Sequence, residues 1–222
     1  MFPAPVTGRS GTMCAMPNMT PATAWKALNE GNERFVAGKP EHPDQDVDRR
    51  QSLTSGQQPI AAVFGCSDSR VPAELVFDQG LGDIFVVRTA GQAIDGAVLG
   101  SLEYAVAVLN VPLLVVLGHR SCGAVKATVG AVEDGSVPAG FIRDVVERVM
   151  PSILVGRKDG LSSAEEFEDR HVSETVAQLV ARSTIISERV TQGTLGIVGA
   201  VYHLADGRAA PVERAGKVAE TV

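Results

Sequence analysis

The stretch that decides the fold is IAAVFGCSDSR, residues 60–70. It begins as an uninterrupted apolar run, which is typical of a strand buried on both faces of a parallel sheet. It then turns polar at Cys66. A second stretch repeats this pattern, because the apolar residues 112–117 are followed by His119 and Cys122. Open parallel sheets bind ligands at the carboxyl ends of their strands, so we expect these three residues to meet at one edge of a sheet.

The remaining sequence alternates between strand-like and helix-like patterns. Two more β-like runs cover residues 84–89 and 194–204, and helical periodicity separates the runs. Such alternation predicts right-handed β-α-β crossovers. The turn signal Asp206-Gly207 predicts a short antiparallel strand at 208–212. We therefore predict an α/β fold with a mostly parallel central sheet of about four strands, an added antiparallel edge strand and flanking helices.

Helix-capping residues mark where several of the helices begin. Thr20 followed by Pro21 predicts the start of an N-terminal helical arm that ends near Gly38. Asp95 predicts the cap of a helix reaching Leu109. Periodicity also predicts a helix over residues 141–154.

A capping box is present near the C-terminal third of the chain. Ser163 and Glu166 have the spacing in which each side chain caps the other's backbone N–H. We expect this box to open one long helix that continues to about Val190.

The composition is that of an ordinary globular protein. Of 222 residues, 45% are hydrophobic and 21% are charged, and the net charge is −6. This charge and the lack of a basic stripe argue against a nucleic-acid partner. No apolar run approaches the length of a membrane span, and residues 1–19 lack the apolar core of a signal peptide. We expect a poorly ordered extension at 1–19, a single α/β domain at 20–222 and a cytoplasmic location.

The cysteines indicate a metal site. An odd number of three argues against a disulfide framework, and Cys14 is expected to be a free thiol without a role. The polar surroundings of Cys66 and Cys122 disfavour buried core cysteines, and the absence of a C-x-x-C motif disfavours a redox pair. With His119 they form a three-residue set of zinc ligands. Catalytic zinc sites keep a fourth position open, here for water or for Asp68, whereas structural sites close with four protein ligands.

The motifs C-x-D-x-R and H-x-x-C, in this order, resemble those of the β-class carbonic anhydrases. The similarity covers roughly residues 25–207 and extends to the segments VPAE (71–74), FVVRTAG (85–91) and EYA (103–105). It implies a zinc enzyme that reversibly hydrates CO2 to bicarbonate and a proton. It also implies one Zn2+ per chain, held by Cys66, His119 and Cys122.

The resemblance assigns catalytic roles to Asp68 and Arg70. In the family, zinc hydroxide attacks CO2 and an Asp-Arg dyad orients the hydroxide. A carboxylate that accepts the hydroxide proton aims an oxygen lone pair at the substrate. Released from Arg70, Asp68 could instead become the fourth zinc ligand in an inactive form. Two thiolates also leave zinc-bound water less acidic than three histidines do, so we expect activity to rise from neutral to alkaline pH.

The resemblance further implies a substrate pocket shared between subunits. Gln57, or the adjacent Gln58, would donate its amide N–H to a substrate oxygen in a neighbouring subunit. Phe85 and Tyr104 would line a small apolar pocket, and Gly123 would offer a backbone N–H near the zinc. We therefore expect a homodimer or homotetramer.

Some members of this family carry a second bicarbonate pocket built from Trp, Arg and Tyr. Arg88 and Tyr202 match two of these positions, but Val63 stands where the Trp would be. We expect no bicarbonate inhibition through such a pocket.

Two other functions remain open on the sequence. One is hydrolysis of a CO2 isologue such as carbonyl sulfide or carbon disulfide. The other is a non-catalytic role as an interaction module in which zinc only stabilises the fold. CO2 hydration is favoured over a structural zinc site by the presence of Asp68, Arg70 and Gln57, because a structural site needs no such residues. A nucleotide-binding role is disfavoured, because no G-x-G-x-x-G follows the first strand.

Overall fold

A computed structural model describes residues 19–218 of the chain. The sequence-based prediction for Cys14 lies outside these residues, and so does almost all of the extension predicted at 1–19.

Five strands form one sheet: β1 (Ala61–Cys66), β2 (Ile84–Thr89), β3 (Leu113–His119), β4 (Gly196–Tyr202) and β5 (Ala209–Ala215). Their order is β2-β1-β3-β4-β5, with β1 to β4 parallel and β5 antiparallel to β4. The predicted α/β sheet with its antiparallel edge strand is confirmed. The edge strand is longer than the predicted 208–212, because its pairing with β4 continues past a bulge as far as Ala215.

Helices cover both faces of this sheet: α1 (Pro21–Val36), α2 (Val47–Ser52), α3 (Ala73–Val76), α4 (Gly96–Ala107), α5 (Gly123–Asp134), α6 (Ile142–Lys158), α7 (Ala164–Arg182) and α8 (Thr184–Thr191). The predicted caps at Thr20, Asp95 and Ser163 are confirmed, since each side chain accepts a backbone N–H of the following turn. Within residues 19–218, no helix combines the length and the apolar character that crossing a membrane requires.

The prediction of one long helix from Ser163 to about Val190 is wrong, because the helix breaks at Ser183. This residue has extended backbone angles (φ −111°, ψ 113°) between α7 and α8. Its Oγ accepts the N–H of Ile186 at 3.2 Å and donates to Glu103 Oε1 at 2.7 Å. A short hydroxyl side chain can thus end one helix and cap the next, and the partner on α4 holds it there.

The core lies on both faces of the sheet. All residues of β1, β3 and β4 are buried, as expected for central strands of a parallel sheet. One face packs against α4, α7 and α8, and the opposite face against α1 and α3. The edge strand β2 is only half-buried along its whole length.

The strand order places a crevice between β1 and β3 at the carboxyl edge of the sheet. The chain runs from β1 outward to β2, whereas β3 lies on the other side of β1. The carboxyl ends of β1 and β3 therefore flank the switch point of the sheet, which is where open α/β sheets bind ligands.

Candidate metal centre

Three predicted ligands meet at this switch point. Cys66 is the last residue of β1, His119 is the last residue of β3, and Cys122 directly precedes α5. All three are buried, and their ligand atoms lie within 4.8 Å of one another. Because β1 and β3 are neighbouring strands in register, the sheet itself brings the first two together.

His119 presents an unprotonated nitrogen to the two sulfurs. Its Nδ1 lies 2.9 Å from the carbonyl oxygen of Arg120, so Nδ1 carries the proton and donates it. The other ring nitrogen, Nε2, is buried and has no hydrogen-bond partner among residues 19–218. Buried polar atoms are normally paired, so an unpaired lone pair between two thiols fits a metal ligand.

Cys66 and Cys122 shift each other's pKa in opposite directions. The neighbouring Cys122 thiol lowers the pKa of Cys66 well below its usual range, against the opposing effect of burial, and hydrogen bonds from His119 and from the backbone of Asp68 and Gly91 add to the lowering. The same contact, together with burial, raises the pKa of Cys122 above its usual range. The pair therefore readily holds one negative charge, and a bound cation would stabilise the second.

Asp68 and Arg70 form the predicted pair at the exposed side of the centre. Asp68 Oδ1 accepts the Nε and backbone N–H of Arg70, both at 2.9 Å, and Oδ2 accepts Nη2 at 2.7 Å. These bonds hold the pKa of Asp68 well below its usual range. Oδ2 lies 3.9 Å from His119 Nε2, so this atom faces the ligand cluster.

Arg88 supports the same loop from the neighbouring strand. Its Nε donates to the carbonyl oxygen of Cys66 at 2.9 Å, and its Nη2 donates to that of Asp68 at 2.6 Å. Val63 and Tyr202, the other two positions of the second bicarbonate pocket, are buried in the sheet. The guanidinium is thus directed to the loop of residues 66–70. The absence of bicarbonate binding beside it stays a prediction.

Sequence reasoning missed the residues that brace the ligands. Gly91 donates its N–H to Cys66 Sγ at 3.2 Å, and Glu168 Oε1 accepts the N–H of Cys122 at 3.0 Å. His171, which carried no motif, is buried and lies 2.7 Å from the carbonyl oxygen of Gly91. The sequence separations of 25, 46 and 80 residues hide these contacts from any local pattern.

The structure partly groups the predicted pocket residues. The rings of Phe85 and Tyr104 pack together, with centroids 6.2 Å apart. Gly123 follows Cys122 and lines an apolar groove of about 340 Å³ with Ala90 and Phe141.

Gln57 is exposed and is not one of the buried residues around Cys66, His119 and Cys122. It sits with Gln58 in the loop before β1. Its role in a neighbouring subunit therefore stays a prediction.

The chain is similar to known carbonic anhydrases. The carbonic anhydrase family model matches residues 61–209. Carbonic anhydrase 2 of Mycobacterium tuberculosis is 65% identical, over 93% of this chain and 100% of that protein.

Solved structures share the fold. A β-carbonic anhydrase of Aspergillus fumigatus superposes with a TM-score of 0.67 at 24% identity, over 89% of this chain and 92% of that one. A β-carbonic anhydrase of Sordaria macrospora, described as tetrameric, gives 0.65 at 22% identity, over 85% and 96% of the two chains.

Proposed function

This chain belongs to the β-class carbonic anhydrase family, and from that premise we propose that it reversibly hydrates CO2 to bicarbonate and a proton with one Zn2+ per chain. The observation that carries the proposal is the buried cluster of Cys66, His119 and Cys122 with an unpaired imidazole nitrogen. Two sulfurs and one imidazole nitrogen are ligands that suit zinc. Bound zinc would supply the Lewis acidity that activates water near neutral pH.

Asp68 and Arg70 would orient the reacting water. Arg70 keeps the carboxylate ionised and fixes both of its oxygens. Each carboxylate oxygen has two lone pairs, so Oδ2 can accept a second hydrogen bond on the side facing the ligand cluster. A proton held there would direct an oxygen lone pair at CO2, which favours reaction over random encounter.

The apolar groove beside Gly123 suits the substrate. CO2 has no net charge and needs a dry surface more than polar recognition. The groove is lined by small and aliphatic side chains and by Phe141, and it includes Gly123, which directly follows Cys122. We assign Phe85 and Tyr104 to the apolar lining of the substrate pocket, and Gln57 to a contact with substrate across a subunit boundary.

The protein would accordingly act as a homodimer or homotetramer in the cytoplasm. The half-buried edge strand β2 and the partly exposed side chain of Tyr104 leave apolar surface for a second subunit. Cys66 and Cys122 are free thiols, and a reducing compartment keeps such ligands available. Sedimentation at assay concentration tests the assembly, and a fully active monomer would contradict it.

Stopped-flow CO2 hydration with a pH indicator, together with metal analysis, tests the function. We expect about one zinc per chain and hydration that is lost when zinc is removed and regained when it is returned. A protein that holds zinc but does not accelerate hydration would instead be a non-catalytic module with a structural zinc site.

A further inference from the structure

Helix α7 contacts the Cys122 loop of the proposed metal centre directly and reaches Cys66 through Gly91, without supplying a ligand. Glu168 and His171, three positions apart and therefore on one helix face, extend to different loops. Both are nearly fully buried, with 4% and 2% of their surface exposed. A buried carboxylate and a buried imidazole are costly to place in a core, so their contacts need an explanation.

Glu168 fixes the second loop. Its Oε1 accepts the backbone N–H of Cys122 at 3.0 Å, while Oε2 lies 3.5 Å from Arg120 Nη1. Cys122 stands at the N-cap of α5, and its backbone orientation determines where its sulfur points. Without an acceptor, this buried N–H would lose the bond that holds that orientation.

His171 fixes the first loop through a chain of hydrogen bonds. Its Nε2 lies 2.7 Å from the carbonyl oxygen of Gly91, which can only accept, so Nε2 carries the proton. Burial lowers the pKa of His171, so the ring is neutral and Nδ1 accepts the hydroxyl of Ser152 at 2.9 Å. Gly91 in turn donates its N–H to Cys66 Sγ at 3.2 Å. These hydrogen bonds connect Ser152 through His171 and Gly91 to the sulfur of Cys66.

The position of Gly91 requires glycine. Its φ of 61° lies in the left-handed region, and a Cβ there would approach the Ala124 Cβ to 2.5 Å. Only glycine fits at this position. The N–H and the carbonyl group of Gly91 belong to two successive peptide groups joined at its Cα, and each is held by one partner, Cys66 Sγ and His171 Nε2. Loss of the His171 bond would free the backbone angles of Gly91 and so the direction of the N–H that points at Cys66.

We propose that Glu168 and His171 are positioning residues that fix the two cysteine ligands relative to each other, so that α7 sets the affinity and geometry of the metal centre. This inference rests on the zinc site proposed above. Residues that orient metal ligands from outside the ligand shell typically contribute about 10–100-fold to metal affinity or activity.

Chelator competition on the holoenzyme tests the role. Glu168→Ala and His171→Phe are each expected to weaken zinc retention about 10–100-fold against a chromophoric chelator. In Co2+-substituted protein, the sulfur-to-cobalt charge-transfer bands should also shift, because a displaced thiolate changes its overlap with the metal. Glu168→Gln and His171→Gln keep an acceptor and a donor respectively, so each should restore most of the affinity.

Two variants on the same helix serve as matched controls. Glu165→Gln removes an exposed carboxylate, and Thr175→Val removes a buried hydroxyl that donates within the helix to the carbonyl oxygen of His171. Both should match wild type in zinc retention and in cobalt spectrum.

Unchanged zinc retention and cobalt bands in Glu168→Ala and His171→Phe would overturn the positioning role, as would equal losses in the two controls. If both test variants fail to fold, Glu168→Asp is tested with the same two measurements. It keeps the charge but moves the carboxylate away from the Cys122 N–H by one methylene, so weaker zinc retention would support the positioning role and wild-type retention would overturn it. Wild type that binds no zinc would overturn the proposed function and this inference together. Zinc-bound, active wild type with unaffected variants would overturn this inference alone.

Discussion

The two loops that carry the ligands differ in exposure and in how they are held. In the first loop, residues 66–70, only Cys66 is buried. Arg88 from strand β2 and the loop's own Asp68–Arg70 pair hold it directly, and α7 reaches it only through Gly91. In the second loop, residues 119–122, both ligands are buried and α7 holds the backbone through Glu168. The first loop thus combines a ligand with exposed charged groups that can meet substrate. The second loop carries two of the three proposed ligands and no group proposed to meet substrate, so we expect the two loops to respond differently to mutation.

The largest expected effect is loss of any ligand. Cys66→Ser, His119→Ala and Cys122→Ser should each reduce CO2 hydration to the uncatalysed background and remove stoichiometric zinc, because three ligands are already the minimum for such a site. Stopped-flow assays and metal analysis measure this. A variant with full activity and no zinc would refute the metal site.

The next effect separates the two loops. Asp68→Asn and Arg70→Ala should lower kcat by about 10²–10⁴-fold, the usual contribution of a positioned proton-accepting group. Zinc content should remain at wild-type level, since neither residue is one of the three ligands. Arg70→Lys serves as the matched control for charge, and it should recover only part of the rate because it cannot make the paired contact. Zinc loss in Asp68→Asn would show that the Asp68–Arg70 pair also supports metal binding.

The pH dependence sharpens the role of the first loop. Because Arg70 depresses the pKa of Asp68, the dyad's contribution to stability is present above the ordinary carboxyl pKa and is lost only as pH falls through the depressed value. Asp68 therefore stays ionised through neutral pH. The rate should rise by up to about tenfold per pH unit from acid to alkaline conditions, following deprotonation of the reacting water. Arg70→Ala should free Asp68 to block the fourth position and deepen the loss at low pH, and a flat profile in both proteins would exclude this switch.

A smaller effect is expected at the support of the first loop. Arg88→Leu removes the donors to the Cys66 and Asp68 carbonyl groups and should lower activity by about tenfold, with zinc retained. Isothermal titration should detect no bicarbonate binding that depends on Arg88. Bicarbonate bound beside Arg88 and Tyr202 in a crystal would show that Val63 is no obstacle to the second pocket.

The smallest expected effect lies far from either loop. Ser183→Ala removes the cap of α8 and should cost about 1 kcal/mol of unfolding free energy. Hydration activity should be unchanged, because the residue packs against α4 rather than the metal centre. Denaturant unfolding measures the cost, and a parallel fall in kcat would mean that the break in α7–α8 affects the α7 contacts with the metal loops.

Local pattern determined the elements and the ligand set. Continuous apolar runs predicted β1 and β3, capping residues predicted where α1, α4 and α7 begin, and polar residues after the runs marked Cys66, His119 and Cys122. These signals depend on neighbours within a few positions, which is why they can be seen in sequence.

Tertiary structure alone decided the rest. It set the strand order that places β1 and β3 side by side, the break at Ser183 through Glu103, and the bracing of both cysteines from α7 through Glu168 and His171. Each depends on contacts between residues tens of positions apart. A buried Glu or His looks the same in sequence as an exposed one on an amphipathic helix, and only packing against the metal loops distinguishes them.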